Sequence, residues 1–362
     1  MSLLLLLAGL LFLTLGAELL VRGASRLASA FGVPSLVVGL TVVAYGTSMP
    51  EMTVSTMAAV RGQADLALGN VVGSNIFNIL FILGISGLVR PLAVSSQLVR
   101  LDVPLMIAVC AAAWVMSLDG RIGRADGSLL VLTLAAYTVL VVRLGRKQGT
   151  GGDGDVGAAP DRPRAKGRGM LASVAAVLCG LGLLVIGSRW LLETAVTIAR
   201  HLGYSELVIG LTLVAAGTSL PELATSVVAS IRGERDIAVG NVVGSNIFNV
   251  LGVLGLSSLV SANGVEVSAV ALRFDLPIMV AVAVACLPVF FTGQTIARWE
   301  ALLFLGYYAA YTAHLALAGA GHALQDTYSR ALLWYALPLT AVTLGVVAVR
   351  ELWRRRTGRP SP

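Results

Sequence analysis

The sequence predicts an all-α integral membrane protein, with an inverted repeat of five plus five transmembrane helices and an extra C-terminal transmembrane helix. Three observations lead to this prediction: an apolar composition, long apolar runs and an internal duplication. Of the 362 residues, 57% are hydrophobic and only 12% are charged, whereas soluble domains carry about 25% charged residues. The mean hydropathy is +0.86, which is typical of a chain that lies mostly within a membrane.

Three segments of the first half recur in the second half. They are GTSMPE at 46–51 and GTSLPE at 217–222, GNVVGSNIFN at 69–78 and again at 240–249, and LDVPLM at 101–106 and FDLPIM at 274–279. The first two pairs share an offset of 171 residues, and the third has an offset of 173. Because chance does not produce ten identical residues at a fixed offset, the chain contains a duplicated unit.

Each half contains five apolar stretches that are long enough to be membrane helices. They cover about 3–21, 35–60, 66–89, 99–118 and 127–144 in the first half, about 170–190, 206–231, 237–260, 272–292 and 299–319 in the second, and an eleventh covers about 331–349. Five is an odd number, so the second unit enters the membrane from the opposite side and the repeat is inverted. The predicted domains are a first five-helix repeat at 1–144, a cytoplasmic linker at 145–169, a second repeat at 170–320, and the extra helix with a basic tail at 321–362.

The distribution of basic residues predicts the orientation in the membrane. Lys and Arg gather in the linker and at 350–359, and cytoplasmic loops carry an excess of these residues. We therefore predict a multi-pass protein of the cell inner (plasma) membrane, with the N-terminus outside and the linker and tail in the cytoplasm. The N-terminal apolar run has no basic residue before Arg22 and contains Glu18, so we interpret it as a membrane helix and not as a cleaved signal peptide.

The first motif places a proline and a glutamate inside an apolar run. Pro50 lacks a backbone N–H and its ring clashes with the carbonyl four residues earlier, so helical hydrogen bonds are lost near Thr47. Glu51 follows four residues after Thr47 on the same helical face. Pro221 and Glu222 repeat this arrangement. A membrane-embedded carboxylate is costly and by default marks a functional site.

Two such glutamates would repel each other if the inverted repeat brought them face to face without a cation between them. Glu51 and Glu222, together with the freed carbonyls of Thr47 and Thr218, would offer about six oxygen atoms, and calcium takes roughly 6–8 oxygen ligands. The composition of the motifs, without Cys or His, argues against a softer metal.

The second motif supplies neutral oxygen atoms. Ser74 and Asn78 are four residues apart and share one helical face, which Asn70 extends by another turn. Ser245 and Asn249 repeat this spacing in the second half. Hydroxyl and amide oxygens suit sodium and can complete the ligand shell of calcium.

A structural explanation of these residues stays open. A lone Ser or Asn in a membrane helix can be a hydrogen-bonding partner between helices, and a lone Pro can be a simple kink. The GxxxG patterns at 69–73 and 240–244 also predict close helix packing. We favour ion binding because glutamate stands next to proline and because the whole set is duplicated.

The paired motifs resemble the alpha repeats of the calcium/cation antiporter superfamily, specifically its sodium/calcium exchangers of prokaryotic type. The resemblance covers roughly residues 1–320, with the alpha-1 motifs at 46–78 and the alpha-2 motifs at 217–249. It implies ten helices in two inverted sets of five. It also implies a secondary active antiporter that exchanges sodium for calcium by alternating access, with both ions competing for a mid-membrane site built on Glu51 and Glu222.

The resemblance further implies a set of ligands. Calcium would be bound by the two glutamates and the backbone carbonyls of Thr47 and Thr218. Sodium would use the same glutamates with Ser48, Ser219, Ser74 and Ser245 and with the carbonyls of Ala44 and Ala215, while Asn78 and Asn249 would line the central position. Some members, including the potassium-dependent branch, carry Asp at one of the last two positions, so two asparagines argue against potassium dependence.

Other functions stay open at this point. The alternatives are a proton/calcium or other divalent-cation antiporter, whose proton/calcium branch has a different repeat sequence, and a cation channel, because carboxylate pairs also line pores. We do not expect an enzyme, because no nucleophile–base arrangement is repeated. The sequence predicts Ca²⁺ and Na⁺ as transported ions, no cofactor, no nucleic-acid partner and no required protein partner.

Two further pairs of polar residues have predicted structural roles. Asp102 and Asp275 each precede a proline by two residues, and we interpret them as helix-end or packing residues. Glu18 and Arg189 occupy equivalent positions of the two halves. We predict that they pair with each other or with nearby carbonyls on a mobile unit, and the alternative is that each reaches toward the membrane interface.

Overall fold

The computed structural model describes residues 2–150, 167–201, 215–291, 294–319 and 345. The helices in these ranges are α1 (Ser2–Phe31), α2 (Ser35–Thr47), α3 (Met49–Val60), α4 (Ala64–Val89), α5 (Leu98–Asp119), α6 (Arg124–Thr150), α7 (Gly167–His201), α8 (Ala215–Gly217), α9 (Leu220–Arg232), α10 (Arg235–Val260), α11 (Ala271–Phe291) and α12 (Arg298–Gly319). The strands are β1 (Leu92–Ala93), β2 (Arg121–Ile122), β3 (Val265–Glu266) and β4 (Thr295–Ile296). Seven helices of the described part are long and apolar enough to cross a membrane, so this is a multi-span membrane protein.

The predicted apolar stretches correspond to helices whose ends differ from the prediction. Helix α1 continues to Phe31 and not to residue 21, because the helix is stopped only at Gly32, whose φ of +64° favours glycine. Helices α6 and α7 extend into both ends of the predicted linker, 145–169. The beginning of the stretch 206–231 and the eleventh stretch, 331–349, lie outside the described residues except for residue 345.

The helix is interrupted at each copy of the first motif, as the prolines predict. Helix α2 ends at Thr47 and α3 begins at Met49, with Ser48 between them at ψ 10°. In the second half, α8 ends at Gly217 and α9 begins at Leu220. The break makes each motif the start of a new helix, so that the glutamates stand in the first turns of α3 and α9.

Helices α4 and α10 lie at the centre of the protein and carry the second motif. Most of the apolar window of α4 and all of that of α10 is buried. From Asn78 in α4 and from Asn249 in α10 the helix continues as a wider π-helical turn. Such turns often occur at functional sites, because they change the direction in which side chains project.

The GxxxG prediction is confirmed for the second copy. A Cβ atom on Gly244 would lie 2.6 Å from the Leu40 carbonyl oxygen, so α10 contacts the backbone of α2 directly. Gly69 and Gly73 have no such neighbour within 4 Å among the described residues. The segment of the second half that is equivalent to α2 lies mostly in 206–214, outside those residues.

The two halves are also joined by short strands that the sequence does not predict. β1 pairs with β4 in antiparallel fashion, with Leu92 opposite Ile296. β2 pairs with β3, with Arg121 opposite Glu266. Each strand has only two residues, too few for the alternating pattern by which strands are recognised.

Helices α1 and α7 are antiparallel and pack backbone against backbone through glycine. A Cβ atom on Gly180 would lie 2.8 Å from the Gly16 carbonyl oxygen and 2.7 Å from the Leu20 nitrogen. One on Gly187 would lie 2.8 Å from the Gly9 carbonyl oxygen. No side chain fits at these contacts, so α1 and α7 form one closely packed pair.

This geometry shows that the predicted pairing of Glu18 with Arg189 is wrong. Because Gly180 packs at the level of Glu18, Arg189 lies roughly 13 Å farther along α7. Equivalent positions of two antiparallel helices lie at opposite ends of the pair. Glu18 instead binds Arg22, at 2.5 Å, and Arg232 at the end of α9. Arg189 is exposed.

Replacing Gly180 with alanine is expected to lower the free energy of unfolding by about 1–3 kcal/mol, because the added methyl group meets backbone atoms that cannot move aside. Gly182→Ala is the matched control: this glycine is in the same helix but has no neighbour within 4 Å, and alanine favours a helix by roughly 0.5–1 kcal/mol. The measurement is the thermal unfolding midpoint of the two variants in detergent. Equal midpoints would show that α1 and α7 are not in backbone contact.

Candidate functional site

The predicted site residues lie together in the buried centre of the protein. Side chains that are at most 8% exposed belong to Ala44, Thr47, Ser48, Glu51, Ser74, Asn78, Thr218, Ser219, Glu222, Ser245 and Asn249. Ala215 begins α8, and only its backbone is described. Two helix breaks and two central helices, α4 and α10, supply all of these groups, so the motifs that are far apart in sequence form one cluster.

Each glutamate is bound by a serine from the other half of the chain. Ser219 Oγ donates to Glu51 Oε1 at 2.8 Å, and Ser48 Oγ donates to Glu222 Oε1 at 2.7 Å. Ser219 Oγ also lies 3.1 Å from Ser74 Oγ. Both glutamates and both donating serines are 0% exposed. The two helix breaks therefore face each other at the junction of the halves.

The helix breaks also provide a favourable electrostatic position for the two carboxylates. Each glutamate stands in the first turn of a helix, α3 or α9. Backbone N–H groups without helical partners give that end of a helix a partial positive charge, which stabilises a nearby negative charge. The proline that breaks the helix and the glutamate that follows it are thus parts of one arrangement.

Two further asparagines hold the motifs of both halves together. Asn241 Nδ2 donates to Ser226 Oγ at 2.9 Å and to the Glu222 carbonyl at 3.3 Å, while its Oδ1 accepts from Thr47 Oγ1 at 3.1 Å. Asn70 makes the equivalent bonds in the first half, including one from Thr218 Oγ1 at 3.2 Å. The sequence places Asn70 on the site face, but it does not predict that this face binds a threonine of the other half.

Four buried oxygen atoms of the cluster have no hydrogen-bond partner among the described residues. They are Glu51 Oε2, Glu222 Oε2, Asn78 Oδ1 and Asn249 Oδ1. Burying a charged or polar oxygen without a partner costs several kcal/mol. A cation is the partner that could satisfy several such acceptors at once, and hard oxygen atoms of this kind suit Na⁺ and Ca²⁺.

The remaining predicted ligands lie at the edge of this cluster. Ser245 Oγ donates to the Ala44 carbonyl oxygen at 3.4 Å, which joins α10 to the end of α2. The Thr47 hydroxyl lies 3.3 Å from the same carbonyl. These contacts place the Ala44 carbonyl, a predicted sodium ligand of the first half, against the central helix of the second half.

Sequence reasoning missed Asn75 and Asn246. Asn78 Nδ2 donates to Asn246 Oδ1 at 3.1 Å, and Asn249 Nδ2 donates to Asn75 Oδ1 at 3.2 Å. Both missed residues are at most 1% exposed. They are part of the identical ten-residue repeat, three residues before a predicted ligand, and that spacing was the signal that could have found them.

Asp102 and Asp275 lie apart from this hydrogen-bond network, each bound to a tyrosine of the next helix of its own half. Tyr137 donates to Asp102 at 3.0 Å, and Tyr311 donates to Asp275 at 3.4 Å. Asp102 also accepts from Gln97 at 3.2 Å. These bonds join α5 to α6 and α11 to α12, as expected for packing residues.

Fold and site together define a multi-span membrane protein with a buried cluster of oxygen acceptors at the junction of two duplicated halves. The family model for the sodium/calcium exchanger protein matches residues 1–143 and 172–317. The chain therefore belongs to the sodium/calcium exchanger family, and its relatives include exchangers of prokaryotic type.

Individual relatives match most of the chain. It is 40% identical over 288 residues to the inner membrane protein YrbG of Escherichia coli, covering 78% of this chain and 87% of the relative. It is 32% identical over 340 residues to the sodium/calcium exchanger MaX1 of Methanosarcina acetivorans, covering 85% and 96%. Among solved structures, the sodium-calcium exchanger NCX_Mj soaked with zero Na⁺ and Ca²⁺ superposes with a TM-score of 0.74 at 30% identity, covering 87% of this chain and 98% of that one.

Replacing Ser219 with alanine is expected to lower the free energy of unfolding by about 1–3 kcal/mol, because Glu51 loses its hydrogen-bond donor. Ser230→Ala is the matched control, because this buried serine donates to the carbonyl of Ser226 in its own helix, at 2.7 Å, and not to a glutamate. The measurement is the thermal unfolding midpoint in detergent without added Ca²⁺. A Ser219→Ala midpoint no lower than that of the control would contradict the bond between the halves.

Proposed function

We propose that the protein is a secondary active antiporter that exchanges sodium for calcium by alternating access, at a mid-membrane site built on Glu51 and Glu222. Membership of the sodium/calcium exchanger family supports the choice of ions. The similarity to MaX1 and to NCX_Mj over most of the chain supports the same assignment.

The single observation that carries the proposal is the set of four unpartnered oxygen atoms on Glu51, Glu222, Asn78 and Asn249. Each glutamate has one oxygen bound to a serine and the other without a partner in the part of the chain that the structure describes. The bound oxygen fixes the carboxylate, and the other is available to a cation. Two negative charges balance one Ca²⁺, so calcium would be held without net charge.

We infer that the predicted ligand set divides between the two ions. Calcium would take both glutamates and the carbonyls of Thr47 and Thr218. Sodium ions would use the same glutamates, with the neutral oxygens of Ser48, Ser74, Ser219 and Ser245 and the carbonyls of Ala44 and Ala215, while Asn78 and Asn249 would line the central position that both ions reach. Because both ions need the same carboxylates, they exclude each other from the site, and this competition couples the two fluxes.

The charge of the site makes the exchange sensitive to voltage when more than two sodium ions replace one calcium. Three sodium ions would leave one net positive charge on the site. Moving that charge across the membrane changes the free energy by about 2.3 kcal/mol per 100 mV. A potential that is negative inside would then favour sodium entry and calcium export.

We propose five plus five transmembrane segments in two inverted repeats, 1–144 and 170–320. The antiparallel packing of α1 and α7, the first helices of the two halves, supports the inversion. The excess of basic residues at 145–169 and in the tail supports a cytoplasmic linker and C-terminus and an external N-terminus. A relative named as an inner membrane protein supports a location in the inner (plasma) membrane. We also propose an extra membrane helix within 321–362.

The closely packed pair of α1 and α7 would be the part that moves in alternating access. Its two helices meet at Gly16 and Gly180 without intervening side chains, so they would move together. Glu18 of this pair binds Arg232 at the end of α9. Movement of the pair along the central helices would break that contact and open the site to one side.

The test is uptake of radioactive calcium into proteoliposomes loaded with sodium. Wild-type protein is expected to take up calcium only with sodium inside, and Glu51→Gln and Glu222→Gln are each expected to lower the initial rate at least about tenfold, because a charge is lost from the site. Glu266→Gln is the matched control, because Glu266 is exposed on β3 and outside the site. It is expected to transport at the wild-type rate.

Varying external potassium and pH separates the alternatives. Uptake that ignores sodium but follows a proton gradient would assign the protein to the proton/calcium antiporters. A requirement for potassium would place it with its relative, the sodium/potassium/calcium exchanger 2 of Rattus norvegicus, which matches 41% of the chain. Calcium flux without any counter-ion would indicate a channel, and no flux under any gradient would reject calcium as the transported ion.

A further inference from the structure

Four asparagines form two hydrogen-bonded pairs where α4 packs against α10. Asn78 donates through Nδ2 to Asn246 Oδ1 at 3.1 Å, and Asn249 donates through Nδ2 to Asn75 Oδ1 at 3.2 Å. Each bond joins one half of the chain to the other. The oxygens of Asn78 and Asn249 are buried, and no described residue forms a hydrogen bond with them.

The orientation of these two carboxamides decides whether they can bind a cation. The oxygen and the NH₂ group of an asparagine have nearly the same shape but opposite polarity, and a half turn of the amide exchanges them. A cation is attracted by the oxygen and repelled by the NH₂ group. When Nδ2 of Asn78 is bound to Asn246, its Oδ1 is the end that remains free.

Asn75 and Asn246, called here the inner asparagines, are oriented by groups that can only accept a hydrogen bond. Asn246 Nδ2 donates to Met106 Sδ at 3.5 Å. Asn75 Nδ2 donates to Met279 Sδ at 3.6 Å and to the Asn246 backbone carbonyl at 3.4 Å. A thioether and a carbonyl carry no hydrogen to donate. They therefore select the orientation in which Asn246 Oδ1 faces Asn78 and Asn75 Oδ1 faces Asn249.

We propose that Asn75 and Asn246 are positioning residues, which force Asn249 and Asn78 to present oxygen and not NH₂ to the transported cations. The inference rests on the proposed function, since it assumes that Asn78 and Asn249 line the ion site. Met106 and Met279 are the ends of the two chains of hydrogen bonds. Because the arrangement occurs twice, each time with residues of both halves, both sides of the central position have the same polarity.

The test exploits the difference between an amide and a carboxylate. Asn246→Leu removes the acceptor of Asn78 Nδ2 and lets that amide turn. The apparent Ca²⁺ affinity is expected to fall at least about tenfold. In an Asn78→Asp background the same substitution is expected to be neutral or favourable, because both oxygens of a carboxylate are equivalent and no orientation has to be chosen. A residue that acts only by filling space would cost the same affinity in both backgrounds, and that result would overturn the proposal.

Two readouts keep this result separate from a failure of the proposed function. Sodium-dependent calcium uptake reports transport, and the rise of the unfolding midpoint with added Ca²⁺ or Na⁺ reports binding without transport. A wild-type protein that binds both cations but does not exchange them rejects the proposed function, and the binding comparison still tests the asparagines. A wild-type protein that neither cation stabilises overturns both.

A milder variant covers the case in which Asn246→Leu does not fold. Met106→Leu changes the shape of the core little but removes the sulfur that orients Asn246. Like Asn246→Leu, it is expected to lower the Ca²⁺ affinity. In the Asn78→Asp background it is expected to have no such effect. Met116→Leu, in the same helix but outside these hydrogen bonds, is the matched control and is expected to bind Ca²⁺ as the wild type does. Equal affinities of the two methionine variants would overturn the proposal.

Discussion

Each buried glutamate takes its hydrogen bond from a serine of the other half: Ser219 for Glu51, and Ser48 for Glu222. A carboxylate without such a donor would be too costly to keep in the centre of a membrane protein. The two helix breaks must therefore lie face to face, and this requirement fixes how the halves dock. The backbone contact between α10 and α2 and the asparagines of the central helices follow from the same docking.

The proline of the first motif serves the site as well as the fold. By ending α2 at Thr47 it creates a new helix, and the glutamate stands in the first turn of that helix. The same carboxylate in mid-helix would gain nothing from the helix dipole. A single sequence feature thus provides a bend, a favourable end for a negative charge, and a place where a side chain of the opposite half can reach it.

Local pattern was enough to predict the duplication and the apolar helices of the described residues, because these depend on neighbouring residues and on composition. It also selected residues that the structure brings into one buried cluster. It could not predict the bonds between halves, since the partner of Glu51 stands 168 positions away. The prediction for Glu18 failed for a related reason. Its equivalent in the repeat, Arg189, was taken as a neighbour, although antiparallel packing separates equivalent positions. Asn75 was passed over because its role depends on Asn249, which no local rule connects to it.

The backbone contact between α1 and α7 has a consequence for how the protein is made. Both contacts span well over a hundred residues. Gly16 therefore cannot make its contact until Gly180 has been synthesised, and Glu51 cannot bind Ser219 until that serine has been synthesised. Ribosomes add roughly 5–20 residues per second, so many seconds pass before either partner has been synthesised. During that time the glycine face of α1 and the first carboxylate have no partner from the second half. Although the halves are copies of one unit, neither can complete its own structure, and folding has to finish after synthesis of the second copy.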